Sequence, residues 1–555
     1  MSIADRFRTH TVENQPPPLA PYDAYATDLA LREALQREGG GWAENDVAAY
    51  GPVAGGEVMA LGVLANENRP KLRPFDRYGH RIDEVEFHPA YHRIMELGVR
   101  HGVAGFAWRH RERAGAHVAR AALMFLHNQA EQGTSCPLTM TYASVPTLAR
   151  QPELAREWGP RVIAEEYDPR QAPAWEKRGN TIGMGMTEKQ GGSDVRSNTT
   201  RATPVGAAGA GQLYELVGHK WFFSAPMSDA FLVLAQSPGG VSCFLLPRFA
   251  PDGTRNAIRI QRLKDKLGDW SNASSEVEFQ GALAWMVGDE GRGVATILEM
   301  VSLTRQDCLI GSASIMRQAL VQAVHHARYR AAFGKPLVEQ PLMREVLADL
   351  ALESEAATAL ALRVARAVDA RPRDAKEGSL ARIITAIGKY WVCKRCPPFV
   401  NEAQECLGGA GYVEETILAR LYRQAPLNSI WEGSGNIQCL DVLRALAREP
   451  DAGAAFFEEL ASARGGHKLL DAELGKLHKM LGATPEALES RSRYLVERMA
   501  LALQAAVLIR AGNVAIADTF CESRLGGQHG AAFGTLPAGA PVAALIERTL
   551  PEIGG

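Results

Sequence analysis

The sequence predicts a mainly α-helical protein with a central β-domain set between two helical bodies and an extra helical domain near its C-terminus. Three observations predict this. Alanine and leucine recur at i, i+3 and i+4 over much of residues 46–180, as in 115–132. Short β-rich runs crowd residues 181–290. Long helical periodicity then returns at 294 and continues almost to the end. Helices, then strands, then helices exclude a Rossmann arrangement, which alternates the two.

A chain of 555 residues is too long for one hydrophobic core. With 46% hydrophobic and 22% charged residues it has the balance of a soluble globular protein. A formal net charge of -2 gives no global basic surplus for nucleic acid. The most apolar run, 499–509, is short and interrupted by Gln504, so no membrane span is expected. The start, with Asp5, Arg6, Arg8 and His10, lacks the apolar core of a signal peptide, and the cytoplasm is the expected location. Of eight cysteines only Cys393 and Cys396 have CxxC spacing. Without a second pair they read as core thiols on a helix, and no metal site is expected.

Residues 1–45 carry Pro16-Pro17-Pro18 and Gly39-Gly40-Gly41 and read as an extended arm with one short helix, 28–37, whose N-cap is Asp28. The arm is expected to cross the body or a neighbouring subunit. In the helical domain 46–180 a turn cluster falls at 66–74. The β-domain, 181–290, holds strands at 213–223, 230–236, 241–248, 258–262 and 274–279. The α-bundle, 291–450, holds helices at 294–333, 342–369, 379–407 and 437–447. Pro450 and Gly465-Gly466 mark the passage to the last domain, 451–555, with a helical segment at 467–525 and a tail carrying one short helix.

Five segments carry chemistry. Met184 to Asp194 places Thr187 and Ser193 beside the pair Gly191-Gly192, whose backbone N–H groups can approach an anion or ring edge. Trp221-Phe222-Phe223-Ser224 sets aromatic rings on both faces of a strand, one for the core and one for a flat ligand. Arg330 to Leu337, then Gln340, offers a guanidinium for a pyrophosphate and Phe333 for stacking on a base. Glu405 to Tyr412 ends a helix in Gly408-Gly409. Trp431-Glu432-Gly433-Ser434 precedes a helix that Ser434 can cap, with a carboxylate near its N-terminus. Each segment alone also reads as ordinary turn, core or cap.

Together, in this order, the five resemble the acyl-CoA dehydrogenase family over roughly residues 46–445. The stretch from Thr9 to Pro16 and the extra C-terminal helices resemble its AidB-like, alkylation-response branch. The resemblance implies the acyl-CoA dehydrogenase fold, FAD as cofactor, weak oxidation of a short branched acyl-CoA such as isovaleryl-CoA, a homotetramer, and double-stranded DNA as a further partner. It gives Met184, Thr187, Gly192, Ser193, Phe222, Phe223 and Ser224 to the flavin side of FAD. Phe222 stands where the family has a tryptophan over the flavin. It gives Arg330, Phe333, Gln340, Glu405, Gly408 and Gly409 to the adenine half of a neighbour's FAD, and Ser434, Asn436 and Gln438 to the last contacts. Glu432 takes the place of the catalytic base. The alternative base position of isovaleryl-type members reads Thr304, next to Arg305.

Three departures from the family pattern bear on the acyl pocket: Lys189 for proline, Trp270 for an arginine, and Trp431 for tyrosine. For DNA, residues 445–555 hold 11 Lys and Arg against 13 Asp and Glu. Arg491, Arg493 and Arg498 are expected to line one face, with Arg444 near the domain junction.

Overall fold

The computed structural model describes residues 6–551; Asp5, noted above, lies outside them. Asp28 caps the helix Leu29–Arg37 by accepting from the Leu31 N–H. The arm before it runs over the chain's own long helix Gly293–Tyr329. Tyr22 donates to Gln318 at 2.8 Å, His325 meets the Pro17 carbonyl at 2.8 Å, and Asn14 Nδ2 donates to the Ala331 carbonyl at 2.8 Å.

The helical run Gly41–Glu67 has 27 residues, and an 18-residue window within it, at mean hydropathy 1.4, is long and apolar enough by length and composition alone to cross a membrane. A π-turn at Ala54–Val58 breaks its phase, and Gly55 lies so close to the Tyr22 carbonyl that a Cβ would strike it.

The turn expected at 66–74 is instead the start of a β-hairpin, Lys71–Phe75 against Arg81–Glu86. Pro74 hid it. Proline cannot donate to a ladder, and the register shifts at that residue.

The β-domain holds the five expected strands, Leu213–Ser224, Ala230–Ser237, Gly240–Pro247, Ile258–Leu263 and Ser274–Val287. It adds Ile182–Gly185 and Arg201–Pro204, each four residues and too short to display alternation. Ala230–Ser237 pairs with Arg201–Pro204 on one side and Gly240–Pro247 on the other. The sheet therefore closes on itself through Leu213–Ser224 and Ser274–Val287.

Gly293–Tyr329, Pro341–Ala370 and Ala375–Leu407 form the bundle behind it. The first ends four residues earlier than its periodicity predicts, because Ala331–Ala332 and Lys335–Pro336 form a small hairpin. Cys393 and Cys396 are buried within Ala375–Leu407 as free thiols. Pro450 opens a helix, Pro450–Ala461, at the position where its missing N–H costs nothing. Buried ion pairs weld the C-terminal helices to the bundle. Arg363 bridges Glu377 and Glu459, and Arg524 binds Asp349 and Glu353.

Candidate functional site

Glu432 lies in the connection between the helices Ile417–Gln424 and Gly435–Arg448. Its backbone is left-handed, φ 56°, and Gly433 follows at φ 92°. A carboxylate residue held there is costly and needs fixing from outside. Arg305 Nε donates to the Glu432 carbonyl at 3.0 Å and pairs with Asp441 at 2.9 Å. Gln438 Nε2 donates to the Glu432 and Gly433 carbonyls at 3.1 and 2.9 Å.

The carboxyl itself meets Thr304: Oγ1 to Glu432 Oε2 is 2.7 Å. Thr304 Oγ1 also lies 2.9 Å from the Val301 carbonyl. One hydroxyl proton cannot serve both acceptors. With Glu432 ionised, Thr304 donates to it. With Glu432 protonated, the acid donates to Thr304 and Thr304 to Val301. The pair therefore accommodates either charge state. Burial pushes the Glu432 acid up from its ordinary range, against the Thr304 hydrogen bond and the charges of Lys389 and Arg305.

The opposite wall comes from the β-domain and the helix Ser135–Leu148. Ser224 ends its strand 3.3 Å from Ser274 Oγ, and Lys266 reaches both Ser274 and Asp269. Cys136 joins the two walls. Its thiol is driven up first by burial and then by Asp269, and it feels both Ser224 and Glu432. Neither Cys136 nor Asp269 was readable as a site residue, since nothing local distinguishes a helical cysteine or a turn aspartate.

The other predicted residues divide. The Gly192 backbone comes so near Thr187 that a Cβ would run into the threonine hydroxyl, so the two hold one tight turn. Glu188, between them in sequence, is locked to Lys220 at 2.8 Å. Met184 is half-buried on its strand, and Ser193 is exposed. Phe222 stands 54% exposed. Phe223 does not share its side. It is fully buried with its ring 4.2 Å from that of Phe231, a core residue rather than a ligand contact. A register shift between Lys220 and Phe223 accounts for the local irregularity.

Phe333 is 99% exposed at φ 52°, an uncommon conformation for a bulky side chain. Arg330 donates to the Asn14 carbonyl at 2.7 Å, and Gln340 to the Ala332 carbonyl at 2.8 Å. Glu405, Gly408 and Gly409 are exposed on another face, with nothing within 4 Å of a Cβ built on either glycine. Ser434 and Asn436 are exposed at the start of Gly435–Arg448, where Ser434 holds the N-cap position but makes no side-chain cap. Gln438, expected with them, turns inward and serves the Glu432 loop; its Oε1 is buried without a partner. An exposed ring beside a tight glycine turn, a hydroxyl at Ser224 and the half-buried Glu432 carboxyl fit a flat flavin ring between β-domain and bundle.

Trp270 is flanked by two guanidinium groups. Arg69 and Arg423 lie over its ring at 3.5 and 3.9 Å. Trp431 is tied to Asn428 at 2.9 Å. Of the arginines expected to line a DNA face, Arg491 and Arg493 are exposed, and Arg444, expected near the domain junction, is 61% exposed. Arg498 is not. Its guanidinium turns in to Glu473 at 2.6 Å and to the Arg524 carbonyl at 3.2 Å.

Residues 14–169 match the "Adaptive response protein AidB N-terminal domain" family. Residues 183–282 match the acyl-CoA dehydrogenase middle domain and 291–447 its C-terminal domain. The chain is 48% identical over 521 residues to "Putative acyl-CoA dehydrogenase AidB" of Escherichia coli, covering 94% of this chain and 95% of that one. The chain belongs to the acyl-CoA dehydrogenase family, in its AidB-like branch. Acyl-CoA dehydrogenase family member 11 of Caenorhabditis elegans is 31% identical over 83% of this chain and 75% of its own length. The structure of the Caenorhabditis elegans protein ACDH-11 in complex with C11-CoA superposes with TM-score 0.86 at 26% identity, covering 94% of this chain and 95% of that one. A Bacillus anthracis acyl-CoA dehydrogenase complexed with FAD shares the fold at TM-score 0.64 and 18% identity, covering 83% of this chain and 82% of that one.

Proposed function

We propose that this acyl-CoA-dehydrogenase-like flavoprotein binds FAD and removes the α and β hydrogens of a short, branched acyl-CoA, with Glu432 as the base. The observation that carries the reading is the half-buried Glu432 carboxyl, raised by desolvation and hydrogen-bonded by Thr304 at 2.7 Å. The α-proton of a thioester is weakly acidic, and a carboxylate lifted by burial is a better match for it than a solvated one. Thr304 gives the acid form somewhere to donate once the proton arrives. FAD, when bound, supplies the acceptor for the hydride that leaves the β-carbon. Thr187, Gly192, Ser193, Phe222 and Ser224 are the residues to hold its flavin side. Arg330, Phe333, Gln340, Glu405, Gly408 and Gly409 would serve the adenine half bound by a neighbouring copy in a homotetramer.

Support for a CoA thioester comes from the family membership and from the Caenorhabditis elegans neighbour's C11-CoA complex. The test is a titration of FAD-loaded protein with a panel of acyl-CoAs under anaerobic conditions. Isovaleryl-CoA is expected to bleach the flavin absorbance. A flavin that no acyl-CoA reduces would overturn the reading. Duplex DNA binding is a second reading, favoured by the exposure of Arg444, Arg491 and Arg493. It predicts an affinity that falls steeply with salt.

A further inference from the structure

Three lysines are buried among the described residues: Lys177, Lys220 and Lys389. The first two face carboxylates, Asp229 at 2.6 Å and Glu188 at 2.8 Å. Lys389, in the helix Ala375–Leu407, is 1% exposed and faces carbonyls alone. Its ammonium donates to Asn428 at 3.1 Å, Trp431 at 2.9 Å and Gly433 at 2.8 Å. An ammonium has three protons to donate, and all three go to one loop. The acceptors bracket Glu432 on both sides, where the backbone is left-handed at two successive residues. A cation so deeply buried and without a carboxylate partner calls for a nearby negative charge, and Glu432 is the acid whose charge it favours.

We propose that Lys389 is the positioning residue of the Glu432 loop, holding the carboxyl in the gap through three carbonyls and acting as the buried counter-charge of its ionised form. This rests on the reading of Glu432 as the base. Two other residues hold the same loop, but neither is equivalent. Arg305 has a carboxylate partner in Asp441, which it shares with Arg382, and Gln438 carries no charge. The remaining groups that sense Glu432 are neutral as placed: Thr304 and the thiols of Cys308 and Cys136, both held up by burial. Among the described residues, Lys389 is therefore the cation holding this loop that no carboxylate pairs.

The test uses full-length, FAD-loaded wild type, Lys389→Met, Lys389→Arg and Glu432→Gln. Infrared difference spectra, with Glu432→Gln as the blank, report the pH at which the Glu432 carboxyl protonates, without turnover. Lys389→Met is expected to move that pH up by about one unit or more, as loss of a close opposite charge does. Lys389→Arg should return most of the shift. Amide exchange over residues 428–434 should rise roughly tenfold in Lys389→Met, since three buried carbonyls lose their donor. A folded Lys389→Met whose carboxyl titrates with wild type would overturn the proposal, as would Lys389→Arg behaving like Met. Should the Met variant not fold, Lys389→Gln keeps a donor without the charge and carries the same titration. Undiminished flavin reduction in Glu432→Gln would remove Glu432 as the base, while the infrared titration would still decide what Lys389 does.

Discussion

The loop around Glu432 and the hairpin around Phe333 are built on opposite plans. Glu432 sits at φ 56° under hydrogen bonds from Thr304, Arg305 and Gln438, with Lys389 donating to the Trp431 and Gly433 carbonyls on either side, all from its own chain. Phe333 sits at φ 52° with its ring almost entirely in solvent. Both are strained and non-glycine, but only one has its reward within the subunit. A left-handed phenylalanine with no packing is poorly explained by the isolated chain. The contrast teaches that the loop proposed to carry the base is held entirely within one copy, whereas nothing in the same copy packs on Phe333 or against the Gly408-Gly409 corner, the surfaces proposed to meet a second copy.

The sharpest way to break this comparison is at the Glu432 loop. Glu432→Gln keeps the shape and removes the proton acceptor, so acyl-CoA-dependent flavin reduction should fall roughly 10²–10⁴-fold with FAD still bound. Stopped-flow absorbance and the cofactor ratio measure the two quantities. Reduction at the wild-type rate would place the base elsewhere.

The Phe333 hairpin should respond in the opposite sense. Phe333→Ala touches nothing in its own subunit, so the monomer's stability should hold. FAD retention should fall about tenfold, and the oligomer should weaken with it, as loss of one stacked aromatic in an interface does. Gel filtration with in-line light scattering and FAD content across a dilution series would check both. If the protein stays fully loaded as a monomer, the hairpin serves no neighbour.

The sequence showed these two halves unequally. Element order and five of the seven barrel strands follow from periodicity, because alternation in 213–223 and 274–279 is a local property. The hairpin at 71–86 was hidden by Pro74, and Ile182–Gly185 by its brevity. Glu432 was legible because its neighbours match a family stretch. Lys389 was not, since its partners lie 39 to 44 residues away and are backbone atoms that carry no residue signature. The failures at Phe223, Gln438 and Arg498 share a cause: spacing says that a residue is near a site but not which way its side chain turns.

A smaller effect is expected from the arm. Asn14, at φ 55°, pairs with Ala331 through both side-chain atoms, at 2.8 and 2.7 Å, and accepts from Arg330. It fixes the base of the Phe333 hairpin without touching the Glu432 loop. Asn14→Ala should therefore weaken FAD retention two- to fivefold, about what loss of one or two exposed hydrogen bonds does. The flavin reduction rate of the molecules that remain loaded should not change. A drop in that rate at full occupancy would mean that the two halves are coupled within one chain.

The smallest effect tests the self-contained half through stability alone. Burial raises the Glu432 acid above its ordinary range, so the folded chain holds this proton at pH values where the unfolded chain has released it. Stability should then fall as pH rises from the ordinary carboxylate range through the raised folded value, and the penalty stays constant above it. Lys389 and Arg305 offset part of this cost, so the net penalty is small. Glu432→Gln has no proton to lose. Its melting temperature should match wild type at acid pH and exceed it by about a few tenths of a degree above the window, the response of a chain of 555 residues to a fraction of a kcal/mol. Thermal scans of the two FAD-loaded proteins across pH separate the curves. Curves that run parallel at every pH would mean that the loop neutralises Glu432 completely, and that its strain is balanced by charge rather than by hydrogen bonds.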